Sequence, residues 1–316
     1  MKVAVAFLCY NESSSRYLDD FLPSLEKAVS QVNSPVFIYA GDNSDDGRHE
    51  NQKHIAKYNE IAHFPVIWLP NEYNLGFAAG FNRLIYQAEA DGCEAFLMLN
   101  PDILVDSGMV QHLLSRLEGN EELACTFPLL YRWDFGSKEK TSVIDTCGIG
   151  LKPGLRFFDI GQGGTQFPQN VAAIGPSGAA AMFRLSSLNK VKEGQGFFDE
   201  RFFMYKEDCD LAYRLYQKGL ESALVPEAIA YHDRSATSKR GLLATFTDWR
   251  QRGRRTRTWS FVNQHLIFIK HFRSEPIFSQ LLVLVYILLY GIFSLFLAQF
   301  LIKSYPLIYR HYRHLD

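Results

Sequence analysis

The chain has 316 residues, 47% of them hydrophobic and 14% aromatic, with a formal net charge of −1. Such a composition excludes a disordered, collagen-like or disulfide-stapled mini-protein and leaves room for one large domain with an appendage, or two domains. The near-neutral total hides a split, since residues 236–316 carry 12 basic and 3 acidic groups whereas residues 1–235 carry 21 and 31, so the two parts face different partners.

Val3 to Leu8 reads as a first strand. It is too short for a signal core with a cleavage site and runs straight into Asn11-Glu12, so no signal peptide is expected. Further strand-like runs at Val36 to Ala40, Val66 to Leu69 and Phe96 to Leu99 alternate with helical periodicity over Leu18 to Val32 and Gly80 to Ala90. This alternation predicts an α/β fold with a mostly parallel central sheet and helices on both faces.

In such sheets ligands gather beyond the carboxyl ends of the strands. Asp42-Asn43-Ser44-Asp45-Asp46-Gly47 follows the second strand, where a carboxylate can accept the imide N–H of uracil or thymine; a turn built of turn-forming residues explains the string equally well. Asn74-Leu75-Gly76-Phe77-Ala78-Ala79-Gly80-Phe81-Asn82 enters a helix whose free N–H groups can meet a diphosphate, although it is neither a Walker loop nor a dinucleotide fingerprint. Ala95 to Leu99 is an apolar run suited to a strand buried on both faces, which puts Asn100-Pro101-Asp102 at its end. A hard carboxylate there can hold Mg²⁺ or Mn²⁺ against phosphate oxygens; a plain turn is the alternative.

Beyond Asp102 a helix is expected over Gly108 to Leu117, then Gly-rich loops framing a cleft over Gly148 to Gly178. The small side chains of Ala179 to Ala181 suit a strand approached closely by a ligand or by another backbone. Glu207-Asp208-Cys209-Asp210 opens a helix marked by Leu211 and Leu215 and stopped at Gly219, behind an aromatic-rich stretch that includes Phe203 and Tyr205. A carboxylate beside such a wall can act as a general base; an N-cap is the competing reading.

A basic run then goes from Lys239-Arg240 through Arg250, Arg252, Arg254, Arg255 and Arg257, and Pro276 to Ile302 contains no charge. A charge-free stretch longer than roughly 20 residues can cross a bilayer, so the basic run reads as a membrane belt and not a nucleic-acid surface. Gln280, Gly291, Ser294 and Gln299 dilute the stretch, which leaves open a helix lying in the interface or one buried in a soluble core. Nine Lys/Arg precede the segment from Lys239 to Arg273 and three follow it, which places the N-terminal part on the cytoplasmic face of the inner membrane. The five cysteines show no paired metal spacing and are expected free and buried in a reducing compartment.

Tyr10-Asn11, the Asp42 string, Asn74 to Gly80, Leu99 to Asp102, Gly178 to Arg184 and Phe198-Asp199-Glu200-Arg201-Phe202-Phe203-Met204-Tyr205-Lys206-Glu207-Asp208 fall in the order of family 2 glycosyltransferases. The chain resembles their rhamnosyltransferase-like branch over residues 1–235, followed by a basic, helical membrane-associating region over 236–316. The resemblance implies a GT-A fold, a nucleotide-sugar donor, a divalent metal and inversion at the anomeric carbon. By position it assigns the base to Asp42, the donor side to Tyr10, Asn11, Glu12, Ser44, Asn74, Gly76, Phe77, Gly80, Asn100 and Asp102, and the acceptor side to Gly178, Ala179, Phe203 and Tyr205. Asp208 would be the catalytic base with Glu207 beside it, and Asp102 and His232 would hold the metal.

The metal motif begins with Asn100 where many relatives have Asp, which implies fewer charged ligands. The implied reaction moves a sugar, first rhamnose from a thymidine donor and next galactofuranose or another hexose from a uridine donor, onto a lipid-linked or polysaccharide acceptor. A non-catalytic nucleotide-sugar-binding partner is the main rival. A nucleotidyltransferase would need a Gly-rich loop after the first strand, which Cys9 to Ser13 does not supply.

Overall fold

The computed structural model describes residues 1–45, 50–168, 172–234, 250 and 253–313. Asp46 to His49, the boundary near 235, and Lys239, Arg240 and Arg252 of the basic run lie outside the described residues.

Strand β1 (Val3–Cys9) pairs in parallel with β2 (Val36–Asp42) and β4 (Ala95–Leu99), and β2 with β3 (Val66–Pro70). The two-residue period splits β1 between two layers. Val3, Val5 and Phe7 pack with Leu18, Phe21 and Leu25 of α1 (Asn11–Val29) and Leu113 and Leu117 of α4 (Met109–Glu118). Ala4 and Ala6 face Ala78, Phe81, Leu84 and Ile85 of α3 (Gly76–Ala90), their small side chains letting that helix sit close to the sheet. Helix α2 (Glu50–Asn59) lies beside α1.

Beyond β4 the sheet turns mixed. Its full order is β3-β2-β1-β4-β10-β6-β11-β5, with β7 (Glu139–Thr146) off the edge of β6 (Leu123–Asp134). Strand β10 (Ala180–Arg184) runs antiparallel to β4 and β6, while β11 (Glu221–His232) runs parallel to β6 and antiparallel to β5 (Ile103–Val105). The β11–β5 pairing matches His232 with Ile103, so the histidine arrives beside the Asp102 turn. The Gly148 to Gly178 region, expected as loops, also contains a two-stranded sheet of β8 (Ile149–Lys152) and β9 (Arg156–Asp159).

Helix α5 (Leu185–Lys190) follows β10, and α6 (Glu207–Gln217) carries the acidic run at its start. The N-cap of α6 is Lys206, without a side-chain cap, so neither Glu207 nor Asp208 is spent on capping. The C-terminal region forms α7 (Arg254–His271), α8 (Ile277–Phe296) and α9 (Tyr305–Arg313). Helix α7 packs into the N-terminal part: Leu266, Ile267 and Phe268 share a buried cluster with Phe202, Tyr213 and Ile149. All five cysteines are free and buried.

Candidate active site

A cavity of about 1260 Å³ opens where the carboxyl ends of β1 and β4 meet the start of α6. It exceeds the roughly 300–1,000 Å³ of ordinary small-ligand sites, which suits a two-substrate reaction. Tyr10, Asn74, Gly76, Phe77, Asn100 and Asp102 line it, together with Gly178, Ala179, Phe203, Tyr205, Glu207, Asp208 and His232. Residues far apart in the sequence therefore share one space.

The other sequence-assigned residues sit behind that lining. Asp42 is 1% exposed, and its Oδ1 accepts hydrogen bonds from the Ser44 N–H and Oγ at 2.8 and 2.6 Å. Ser44 Oγ in turn accepts from the Asn11 N–H at 2.8 Å, and the Asn11 Oδ1 accepts from the Asp45 N–H at 3.3 Å. These three residues build the floor of the loop. Glu12 points outward in the first turn of α1. Gly80 lies a turn inside α3, where a Cβ would come within 2.7 Å of Leu8, so it serves helix–strand packing.

The start of α3 is partly engaged. The Gly76 N–H donates to Asn74 Oδ1 at 2.9 Å, and the Phe77 N–H donates to the Phe203 carbonyl at 2.7 Å. Of these two N–H groups, both expected to face a diphosphate, that of Phe77 holds the loop before α6 and that of Gly76 closes the turn into α3. Gly76 has φ of +79°, and a Cβ there would lie 2.3 Å from the Phe203 oxygen, so only glycine fits. Asn82 secures the same loop from α3: its Oδ1 accepts from the Phe197 and Phe198 N–H groups at 3.0 and 2.8 Å, and its Nδ2 donates to the Phe198 carbonyl at 2.9 Å.

Asp208 is fixed by two backbone donors. Its Oδ2 accepts from the Gly178 N–H at 2.8 Å and its Oδ1 from the Cys209 N–H at 2.7 Å. Gly178 permits this approach, since a Cβ there would stand 3.3 Å from Asp208 Oδ2. Glu207 is different. It is buried, its Oε2 has no hydrogen-bond partner, and burial followed by the charge of Asp208 pushes its pKa well above the usual carboxylate range.

At the other wall, Asp102 Oδ2 lies 3.4 Å from His232 Nε2, while His232 Nδ1 lies 2.8 Å from Asp145 Oδ2. Burial disfavours the imidazolium, but Asp102 and Asp145 outweigh it and raise the His232 pKa to about 10. Asp102 Oδ1 is buried without a partner. An orphaned carboxylate oxygen next to an imidazole nitrogen whose opposite edge is held by a second acid could supply two of the ligands of a divalent cation. Arg234 bridges Asp145 and Asp159 at 3.1 and 2.9 Å, which completes the charge balance behind the histidine.

Asp145, Asp159 and Arg234 were not singled out from the sequence. An aspartate inside Val143-Ile144-Asp145-Thr146 gives no spacing signal, and only the strand pairing shows its partner. A second group, Glu193, Asp199 and Asp210, brings acidic oxygens within 4.8 Å of one another, close enough to hold a cation. The Lys270 ammonium stands 2.6, 2.8 and 2.7 Å from these three and supplies that cation itself.

Residues 5–192 match the family model described as Glycosyl transferase family 2, and residues 159–311 match Glycosyl transferase family group 2. The chain belongs to glycosyl transferase family 2.

Among its relatives is the N-acetylglucosaminyl-diphospho-decaprenol L-rhamnosyltransferase of Mycobacterium tuberculosis, in strains CDC 1551 / Oshkosh and ATCC 25618 / H37Rv. It is 28% identical over 246 residues, which is 72% of this chain and 75% of the relative. Among solved structures, GalNAc-T7 with UDP, GalNAc and Mn²⁺ superposes with a TM-score of 0.55 at 13% identity, over 84% of this chain and 51% of that one. The mannosyltransferase PcManGT from Pyrobaculum calidifontis, in complex with GDP-Man and Mn²⁺, superposes with a TM-score of 0.52 at 12% identity, over 97% and 73%. At these identities the likeness shows the fold alone, and it is the GT-A fold expected for a family 2 transferase.

Proposed function

We propose that this family 2 transferase moves a sugar, first rhamnose from dTDP-rhamnose, onto a hydroxyl of a lipid-linked acceptor at the cytoplasmic leaflet of a membrane, with inversion. The observation that carries the reading is that Asp208 and the Asp102–His232 pair line one cavity. The relative's printed name supports both the sugar and an acceptor on a polyprenyl diphosphate. The uncharged Ile277–Phe296, with a mean hydropathy of 2.1, supports the membrane.

Asp208, held open to the cavity by its two backbone donors, accepts the proton of the acceptor hydroxyl. That oxygen bonds to the anomeric carbon while the carbon's bond to the donor diphosphate breaks, and the nucleoside diphosphate leaves with the bonding electrons. When bound at Asp102 and His232, Mg²⁺ or Mn²⁺ supplies positive charge for the leaving group. Phe203 and Tyr205, with Gly178 and Ala179, wall the space on the Asp208 side, where the acceptor enters.

The test is calorimetric titration of dTDP-rhamnose, UDP-galactofuranose, UDP-glucose and UDP-N-acetylglucosamine, each with and without Mn²⁺, on the native chain and on Asp102→Ala. Metal-dependent binding of one donor, lost in the variant, is the expected result. Binding to none of them overturns the donor assignment.

A further inference from the structure

We infer that α8 does not cross the bilayer but lies flat in the interface of an anionic leaflet, its outer face in the lipid and its inner face on the enzyme. The length and hydropathy of Ile277–Phe296 satisfy a spanning helix and an in-plane helix alike. Its neighbours separate the two.

One stripe of α8, at Ser279, Val283, Tyr286, Tyr290 and Ser294, faces the protein along the whole helix. Near its start, Ser279 Oγ accepts from the Gly154 N–H at 2.6 Å. In the middle, Val283 is buried with Leu266, Ile267 and Phe268 of α7, and Tyr286 meets the β8–β9 turn so closely that a Cβ on Gly154 would lie 2.5 Å from its ring. Towards the end, Tyr290 lies 5.8 Å from Phe261 and 5.5 Å from His265, and Ser294 Oγ is 3.0 Å from the Tyr305 hydroxyl.

A helix of 20 residues is roughly 30 Å long, the thickness of the hydrocarbon core. If α8 crossed the bilayer in this packing, the β8–β9 sheet would enter the hydrocarbon with it. That two-stranded sheet carries exposed Lys152 and Arg156, charges that the hydrocarbon does not tolerate. In-plane docking leaves both on the water side.

The opposite face is exposed among the described residues and wholly apolar: Phe278, Leu281, Leu284, Leu288, Leu289 and Phe296 are each more than half exposed. Charge selects the occupant. Residues 253–313 contain eight Lys/Arg and one acidic residue, Glu275, and exposed Arg273, Lys303, Arg310 and Arg313 flank the apolar face with exposed Tyr309 and Tyr312. A second copy of the chain would bring the same cations against these; an anionic leaflet neutralises them while the tyrosines sit at headgroup level.

The inference rests on the proposed membrane site of action but not on the donor, so the donor titration and the following experiment fail independently. Phe278→Cys, Leu289→Cys and Phe296→Cys are made separately in the full chain, each spin-labelled; the native cysteines are buried. Circular dichroism confirms folding. Label depth is then measured on phosphatidylcholine–phosphatidylglycerol vesicles. The expected result is one shallow depth for all three, within about 5 Å, as for a helix whose apolar face enters roughly 5–10 Å. Depths that pass from one headgroup region through the centre to the other overturn the inference in favour of a span. Water-exposed labels also overturn it, and a concentration-dependent dimer in the same preparation would assign the face to a second copy.

Discussion

The Asn263 side-chain amide donates to the Tyr205 carbonyl at 2.7 Å, and to the neighbouring Met204 carbonyl at 2.8 Å. Tyr205 and Lys206 have φ of 71° and 70°, two consecutive left-handed residues immediately before the helix of Asp208. Such a conformation costs about 1–2 kcal/mol per non-glycine residue and persists only where the surroundings hold it. Helix α7 of the C-terminal region is that hold. Phe203, stacked on Trp259 with ring centroids 5.1 Å apart, adds to it.

Replacing Asn263 by Ala therefore loosens the approach to Asp208. Turnover is expected to fall roughly tenfold or more while donor KM changes little, because a small misplacement of a catalytic group acts on the chemical step. Steady-state kinetics with separate kcat and KM check this; an unchanged kcat refutes the coupling.

The adjacent carboxyls at the start of α6 should behave differently. Asp208→Asn can keep only one of the two backbone hydrogen bonds, through its single carbonyl oxygen, and cannot take a proton, so kcat is expected to drop about 10²–10⁴-fold. Glu207→Gln keeps the shape of a buried side chain whose Oε2 has no hydrogen-bond partner, and kcat should stay within about tenfold of the native value. Equal losses in the two variants would reassign the base.

Asp145 orients His232 from behind. Asp145→Asn preserves shape but removes the charge facing Nδ1, and metal affinity is expected to weaken about 10–100-fold, as for other carboxylates that support a metal-binding histidine. Mn²⁺ binding followed by electron paramagnetic resonance gives the number; an unchanged affinity places the metal elsewhere.

Asp210 contributes acid-sensitive stability. Burial alone would raise its pKa, but Arg214 and Lys270, with His271 hydrogen-bonded at 2.8 Å, hold it far below the usual carboxylate range. A depressed folded-state pKa stabilises fully above the unfolded value of about 3.9 and is lost as pH falls through the folded value. Urea unfolding should therefore weaken below about pH 4. Asp210→Asn should cost about 3–5 kcal/mol at pH 7 and flatten the acid limb, because it leaves buried cations unpaired. Arg273→Met, on an exposed side chain, should stay within about 0.5 kcal/mol.

Much of the fold was legible because its signals are local. Apolar runs of strand length located β1 to β4, and the stop at Gly219 located the end of α6, whose C-terminal glycine has φ of 67°. The carboxyl-end rule then drew attention to Asp102, and the acid-rich helix start to Asp208. The mixed second half of the sheet was less legible, because strand direction depends on partners distant in sequence.

By itself, the sequence determined the α/β alternation, the charge split, the uncharged C-terminal segment and the residue types able to carry the chemistry, since each depends on neighbours within a few positions. The tertiary structure alone decided which of those residues meet. It joined His232 to Asp145 across 87 positions and Lys270 to Asp199 across 71, and buried Asp42. The physical reason is the same in each case: burial, strand register and the pairing of buried charges are set by contacts between distant segments, and those exist only once the chain has folded.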